Sequence, residues 1–325
     1  MVFWKQYPIR NIIQEKINTD KFKSLIFEKS TLKSPTDYEV EIINKNNQLV
    51  IKEVAQFIKE NFGSPPKTPI LDIPEDKLIQ EKDHILFVRD ITQAIVGCIR
   101  YHYIGTFINT NKEIYCEDCF CIHPSWRKKG LGDYLLTHLH IYLNTNNIPY
   151  SIFLKEGSNL SIIHKPFYSS TYVFRQSIPS KSNNILSLSI NKAYKILDIF
   201  YKLNPNLFII RDKDNQNQFW RLYSKSSQKV LACIQDTYQQ FEENNKIKKI
   251  GWITAWIESP NMTDSFREEA SKEISDSVHE IFDYIWTNKA HVGKSNLWKD
   301  DGPFHWYLYQ WTTSLKLNNS YCLLN

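Results

Sequence analysis

The sequence has no long apolar run and no strong excess of charge of either sign. No stretch reaches the length of apolar residues that a membrane span needs. The opening residues, MVFWKQYPIRN, lack the apolar segment of a secretory signal. They do not begin Met-Gly, so an N-myristoylation signal is missing as well. Net charge is +5, with acids and bases both abundant. That balance is too mild and too mixed for a nucleic-acid surface. It suits a phosphorylated cofactor without demanding one.

The six cysteines have no signal sequence beside them. Free thiols and a reducing, cytoplasmic compartment are the expectation. Cys116, Cys119, Cys121 and His123 have the look of metal ligands. A structural zinc site draws its second ligand pair from a distant segment, and no second C-x-x-C is present. Cys119 and Cys121 at strand spacing read equally well as small apolar side chains. No metal is expected.

What is present suffices for a sizeable core: 42% of residues are apolar and 14% aromatic, which argues against disorder. A chain of 325 residues holds one large or two ordinary domains. Residues 49–62 carry apolar side chains at helical spacing, stopped by Gly63 and Pro65-Pro66. Residues 85–89 and 94–103 read as strands joined by a turn near Asp90. Gly97 inside the second marks a bulge or a close backbone approach. Strands at 114–122 and 150–155 flank a helix over 133–146. The second half predicts helices around 192–203 and 266–286, with strands at 207–211, 218–223, 230–234 and 250–257. This is an α+β pattern with a mixed sheet. Similar element types in both halves suggest a duplicated fold, although no sequence repeat is visible.

The most informative stretch is CEDCFCIHPSWRKKGLGDYLL, residues 116–136. A strand reaches His123-Pro124, a basic turn follows, and an amphipathic helix begins. Such a turn cradles phosphate: backbone N–H groups point outward, the helix dipole favours an anion, and glycine lets the backbone approach. Arg127, Lys128 and Lys129 add positive charge. The arrangement R-x-x-G-x-G after a V/I-H-P turn resembles the pyrophosphate loop of the GNAT acyltransferase superfamily.

Four segments in order extend the resemblance. The chain opens FWKQYPI (Phe3 to Ile9), continues with CEDCFCIHPSWRKKGL, has KPFYSSTYVFR at 165–175, and ends DGPFHWYLYQW (Asp301 to Trp311) and YCLLN. They resemble the eukaryotic glycylpeptide N-myristoyltransferases, with their FWxxQPV, EINFLCVHKxLRxKRLA, KPVxTxRYWHR and GDGxLxYYLYNW patterns. Residues 34–62 look like that family's domain opening. The resemblance spans nearly the whole chain and implies a GNAT-like acyltransferase fold of two tandem halves sharing one saddle-shaped sheet. Residues 1–170 would bind acyl-CoA. Residues 171–325 would form the peptide site and supply the C-terminal carboxylate.

Site residues follow from the same resemblance. Phe3 and Trp4 match the aromatic pair at the CoA end. Cys119 and Phe120 match the residues whose backbone amides form the oxyanion hole, with Cys121 and Ile122 continuing the CoA contact. Arg127, Lys128, Lys129, Gly130, Leu131 and Gly132 match the pyrophosphate loop. Asn325 matches the last residue, whose free α-carboxylate is the general base. Tyr307 and Tyr309 read as core or substrate wall. Some positions depart from the pattern. Asp118 replaces Asn, Cys119-Phe120 replaces Phe-Leu, Val173-Phe174 replaces a Trp-His pair, and GLG replaces RLA. Lys155 stands near a threonine that meets the glycine amine.

The implied reaction is attack by a glycine α-amine on a fatty acyl thioester, with myristoyl-CoA as co-substrate and glycine-initiated proteins as acceptors. The amine has a pKa of about 7.7–8.0, so a base must deprotonate it. A carboxylate of about 3.3–3.7 becomes a better base when burial raises it. Backbone amides stabilise the oxyanion, and a strand bulge would free them from ladder pairing. No nucleophilic cysteine is required. A monomer is expected. Two other readings stay open: a GNAT acetyltransferase acting on an amine or lysine, and an inactive acyl-CoA-binding module.

Overall fold

A computed structural model describes residues 9, 20–24, 38–43, 45–63, 70–160, 164–212, 214–317 and 320–323. Phe3, Trp4 and Asn325 lie outside the described residues. The first half runs β1 (Lys23–Ser24), β2 (Glu39–Ile42), α1 (Gln48–Asn61), β3 (Ile70–Leu71), β4 (His84–Arg89), β5 (Ile95–Phe107), β6 (Glu113–Ile122), α2 (Leu131–Thr145), β7 (Ser151–Glu156) and β8 (Tyr168–Gln176). The second runs β9 (Ile185–Leu188), α3 (Ile190–Leu203), β10 (Ile210–Arg211), β11 (Phe219–Lys225), β12 (Gln228–Glu243), β13 (Lys246–Glu258), α4 (Asp264–Asp276), β14 (Tyr284–Asn288), β15 (Lys299–Tyr309), β16 (Trp311–Thr312) and β17 (Tyr321–Cys322).

One succession occurs twice. A helix precedes three antiparallel strands (β4–β5–β6, then β11–β12–β13), and a second helix leads to a strand parallel to the third, β7 beside β6 and β14 beside β13. The last strands are exchanged. β8 pairs with β14, β15 pairs with β7, and β8 and β15 pair with each other. The result is one sheet in the order β2-β4-β5-β6-β7-β15-β8-β14-β13-β12-β11-β9.

Side-chain alternation along β4 and β5 decides where the helices go. Ile85, Phe87 and Cys98 point to one face, where α1 buries Ile51, Val54 and Ile58. Leu86, Val88 and Ile99 point to the other, where α2 buries Leu131, Leu135, Leu136, Leu139 and Leu143. Each fully buried leucine contributes about 1.5–3 kcal/mol relative to exposure. The Asn47 side chain caps α1 by accepting from the Val50 N–H at 3.3 Å. Gly97 is where β5 passes under α2: a Cβ there would meet Leu135 Cδ1 at 3.0 Å and Ile122 Cδ1 at 2.8 Å.

Two sequence expectations change. Helical spacing over 266–286 holds only to Asp276, and Ile285 and Trp286 are strand, paired parallel with Gly251 and Trp252. Short apolar runs do not separate helix from strand, and the open edge of β13 decided it. The helix expected from 133 begins at Leu131, because Gly130 at φ +86° turns the chain directly into it.

Candidate active site

β6 and β7 pair at only three positions, Tyr115↔Ser151, Cys116↔Ile152 and Glu117↔Phe153. Beyond Glu117 they part. β7 continues against β15 as far as Glu156, opposite Phe304. On the other side of β6, Cys98 faces Cys121 and Arg100 faces Asp118. Cys119 and Phe120 therefore oppose Ile99 alone, which is a β-bulge at the mouth of the splay. Cys119 has φ +50°, a conformation that costs a residue with a Cβ on the order of 1–3 kcal/mol. Its carbonyl accepts from Cys98 Sγ at 3.5 Å.

The parting opens a cleft of about 780 Å³. Glu117, Cys119 and Phe120 line it from β6, and Phe153, Leu154 and Lys155 from β7. Tyr172 of β8 and Trp252, Trp286 and Trp306 of β13, β14 and β15 form an aromatic wall. Trp252 and Trp306 stack with ring centres 6.0 Å apart, as do Tyr172 and Trp286. β12 leaves β13 at an irregularity between Asp236 and Gln240, and Gln239 pairs with Leu71 of β3. Thr237, Tyr238 and Gln239 thereby also line the cleft.

Ionisable groups on the cleft have distinct environments. Glu117 is 9% exposed, and burial pushes its carboxyl up to about 8, against one hydrogen bond from Ser151 Oγ at 2.8 Å. Arg100 is buried and grips Asp118. His102 lies 2.9 Å through Nδ1 from Asp83 Oδ1. Burial works to raise the Asp83 carboxyl, but the charges of His102 and Arg100 and the Gln80 amide hold it down at about 2. Glu156 and Asp301 are both raised, by burial first and, for Glu156, by Asp301 next. Lys155 gives its ammonium to the carbonyls of Glu156 and Ser158.

The RKKGLG turn closes the end of β6. Pro124–Trp126 make a single 3-10 turn, and the His123 ring accepts from Ser125 N–H at 3.2 Å. Lys128 and Gly130 both have positive φ, +65° and +86°. α2 starts with no side-chain cap, so Leu131 and Gly132 carry first-turn amides of the kind an anion satisfies. Lys128 and Lys129 are exposed, and Lys129 Nζ lies 4.8 Å from the centre of the Trp126 ring. Arg127 does something different. Its guanidinium bonds the carbonyls of Ile122, Asn61 and Gly63, tying the turn to the end of α1.

The structure thus brings Cys119 and Phe120 onto the cleft and sets the basic turn at the end of the same strand. Ile122 is half-buried against α2, and Cys121 is buried under α1; neither lines the cleft. Cys116 packs in a different cluster from Cys119 and Cys121. No group of three or more His, Cys, Asp or Glu among the described residues is arranged for a metal ion. Tyr307 and Tyr309 are fully buried core. Glu117, the Asp83–His102 pair and Arg100 escaped the sequence reading. The usable signal was the acidic doublet Glu117-Asp118 inside an otherwise apolar strand.

A family model described as an acetyltransferase (GNAT) domain matches residues 82–170, from β4 into β8. This segment is a GNAT domain. Two structures of Saccharomyces cerevisiae N-myristoyltransferase with bound myristoyl-CoA superpose with TM-scores of 0.69 and 0.68 at 12% identity, covering 96% and 99% of this chain and 92% and 91% of theirs. A GCN5-related glucosamine N-acetyltransferase region of a fungal multi-domain GH3 β-N-acetylglucosaminidase gives a TM-score of 0.52 at 9% identity, covering 87% of this chain and 39% of that one. No curated protein sequence matches. The GNAT-like mixed sheet therefore extends beyond the GNAT domain over nearly the whole chain. A GNAT domain is an acyl-CoA-dependent acyl-transfer module, and the match supports acyl transfer of that type. No helix among the described residues is long and apolar enough to cross a membrane.

Proposed function

We propose that the protein transfers a long-chain acyl group, myristoyl, from acyl-CoA to the N-terminal glycine amine of proteins. The observation that carries this reading is the bulge at Cys119-Phe120. It stands at the mouth of a strand splay, at the positions where the resemblance to N-myristoyltransferases puts oxyanion donors. The N-myristoyltransferase fold over nearly the whole chain supports it.

In this reading residues 1–170 hold the acyl-CoA. The pyrophosphate lies against the first turn of α2, with Lys128 and Lys129 supplying charge. The thioester oxygen receives the amides of the bulge as it becomes negative, where each donor contributes roughly 2.7–4 kcal/mol to the transition state. Residues 171–325 form the acceptor site behind the aromatic wall of Tyr172, Trp252 and Trp306. The α-carboxylate of Asn325, outside the described residues, takes the amine proton, and Phe3 and Trp4, also outside them, help to hold the CoA end. The enzyme works as a cytoplasmic monomer.

A second reading, transfer of a short acyl group to a small amine or lysine, is favoured by the family model's description and by the GLG sequence of the loop. CoA release distinguishes the two. Turnover with myristoyl-CoA and a glycine-initiated peptide, exceeding that with acetyl-CoA, is the expected result. Equal or faster release with acetyl-CoA overturns it, and CoA binding without turnover leaves a binding module. Removal of Leu324-Asn325 is expected to abolish transfer and preserve CoA binding.

A further inference from the structure

Glu117 is the last residue of β6 that pairs with β7, opposite Phe153, and its carboxyl reaches back to Ser151, two residues before that point on β7. It lines the cleft and is nine-tenths buried. No arginine, lysine or histidine pairs with it among the described residues, and Ser151 is its one hydrogen-bond partner. The Ser151 hydroxyl has one proton and lies near the Tyr101 hydroxyl as well as near two stronger acceptors. Glu117 Oε1 at 2.8 Å is nearer than the Tyr309 carbonyl at 3.4 Å. Oε1 is thus the accepting oxygen, and Oε2 has no partner among the described residues.

We propose that Glu117 is a neutral carboxylic acid that gives its Oε2 proton to the sulfur of the departing coenzyme A. This rests on the reading of the protein as an acyl-CoA transferase. The amine nitrogen bonds to the thioester carbon, the oxyanion on the bulge collapses, and the carbon–sulfur bond breaks with its electron pair going to sulfur. Sulfur takes the Oε2 proton and leaves as the thiol. Glu117 remains as a carboxylate and regains a proton from water, while the amine proton goes to the base.

The surroundings favour the neutral form. The ionisable groups on the packed elements include Tyr101 on β5, Tyr115 and Cys116 on β6, His140 on α2, and Tyr307 and Tyr309 on β15. Burial raises Tyr101, Tyr115, Cys116 and Tyr307 and lowers His140 to about 4, so these five are uncharged at neutral pH. Asp118 belongs to the opposite face of the strand, bonded to Arg100. An acid at about 8 is close to an alkyl thiol of about 8.5, the match at which proton transfer is efficient.

The test is a leaving-group comparison. Glu117→Gln keeps the shape and a hydrogen-bond donor but has no proton to transfer. With acyl-CoA, the variant is expected to lose about 100-fold in single-turnover rate. With the same acyl group on thionitrobenzoate, whose aryl thiol departs as an anion, the loss is expected to be under about threefold. The ratio of the wild-type rate to that of Glu117→Gln, in which the titration of the acceptor amine cancels, should fall as pH rises through about 8. Equal losses on both thioesters, or a ratio that rises through that range as a base would give, overturns the proposal. If no acyl-CoA is turned over, the functional reading fails, and infrared difference spectra still decide the matter for Glu117. A protonated-carboxyl band present at pH 7, missing in Glu117→Gln and shifted by CoA is expected. A band that ignores CoA, or none, overturns the proposal.

Discussion

Arg100 holds Asp118 with two parallel hydrogen bonds, Nε to Oδ1 at 2.7 Å and Nη2 to Oδ2 at 2.5 Å, one residue before the backbone of Cys119 turns left-handed. The remaining arm, Nη1, reaches the carbonyls of Lys77 and Leu78. The bulge is therefore anchored through a buried guanidinium to the single helical turn Glu75–Leu78. Arginine suits this position because its planar fork meets a carboxylate in two places and backbone oxygens in a third.

Arg100→Met leaves Asp118 without its partner at the edge of the cleft. Loss of one member of a buried pair costs on the order of 3 kcal/mol, which urea unfolding should register. Arg100→Met/Asp118→Leu should regain most of that stability, because no unpaired charge remains. It should not regain the transfer rate, because the bulge has lost its anchor.

In the proposed function Cys119 serves through its backbone. Cys119→Ala should keep at least half of the transfer rate, and hydroxylamine should release no acyl hydroxamate from Cys119 of the wild type. Cys119→Gly should raise stability by up to about 1 kcal/mol, since φ +50° is free for glycine. Cys119→Val should lower both stability and rate, because a β-branched side chain resists this conformation.

The basic turn separates into two kinds of residue. Lys128→Glu/Lys129→Glu should raise KM for acyl-CoA about tenfold, with kcat within about twofold, and the effect should shrink between 0.1 and 1 M salt as screening tightens from about 10 to about 3 Å. Arg127→Ala should instead lower the unfolding midpoint, because it releases three carbonyls that hold the turn to α1.

Two carboxyls give stability opposite pH slopes. Asp83 is held near 2 in the folded protein, below its ordinary 3.8, so its contribution is present above that ordinary value and lost as pH falls from there to about 2. The loss amounts to about 2 kcal/mol, and Asp83→Asn should remove this part of the acid dependence. Glu117 is raised, so its contribution is complete below 4.5 and declines as pH rises toward about 8. Glu117→Gln should flatten that decline, as thermal unfolding across the range would show.

By itself the sequence determined the local elements. α1, α2 and β4 to β6 are written in periodicity, caps and glycine placement, which act over a few residues and need no partner. The glycine-containing basic turn was legible for the same reason, whereas the bulge near Cys119 was expected only from the family resemblance. What only the tertiary structure decided is non-local. The exchange of β8 and β15 depends on which strand edges remain open, and Ile285 became strand because β13 offered an edge. Glu117 reads in sequence as an acid in a strand. Its buried position without a cation, at the point where β6 leaves β7, comes from elements more than thirty residues away, as with Ser151 above it. The chemistry of a carboxyl is set by what surrounds it, and the chain order does not carry that information.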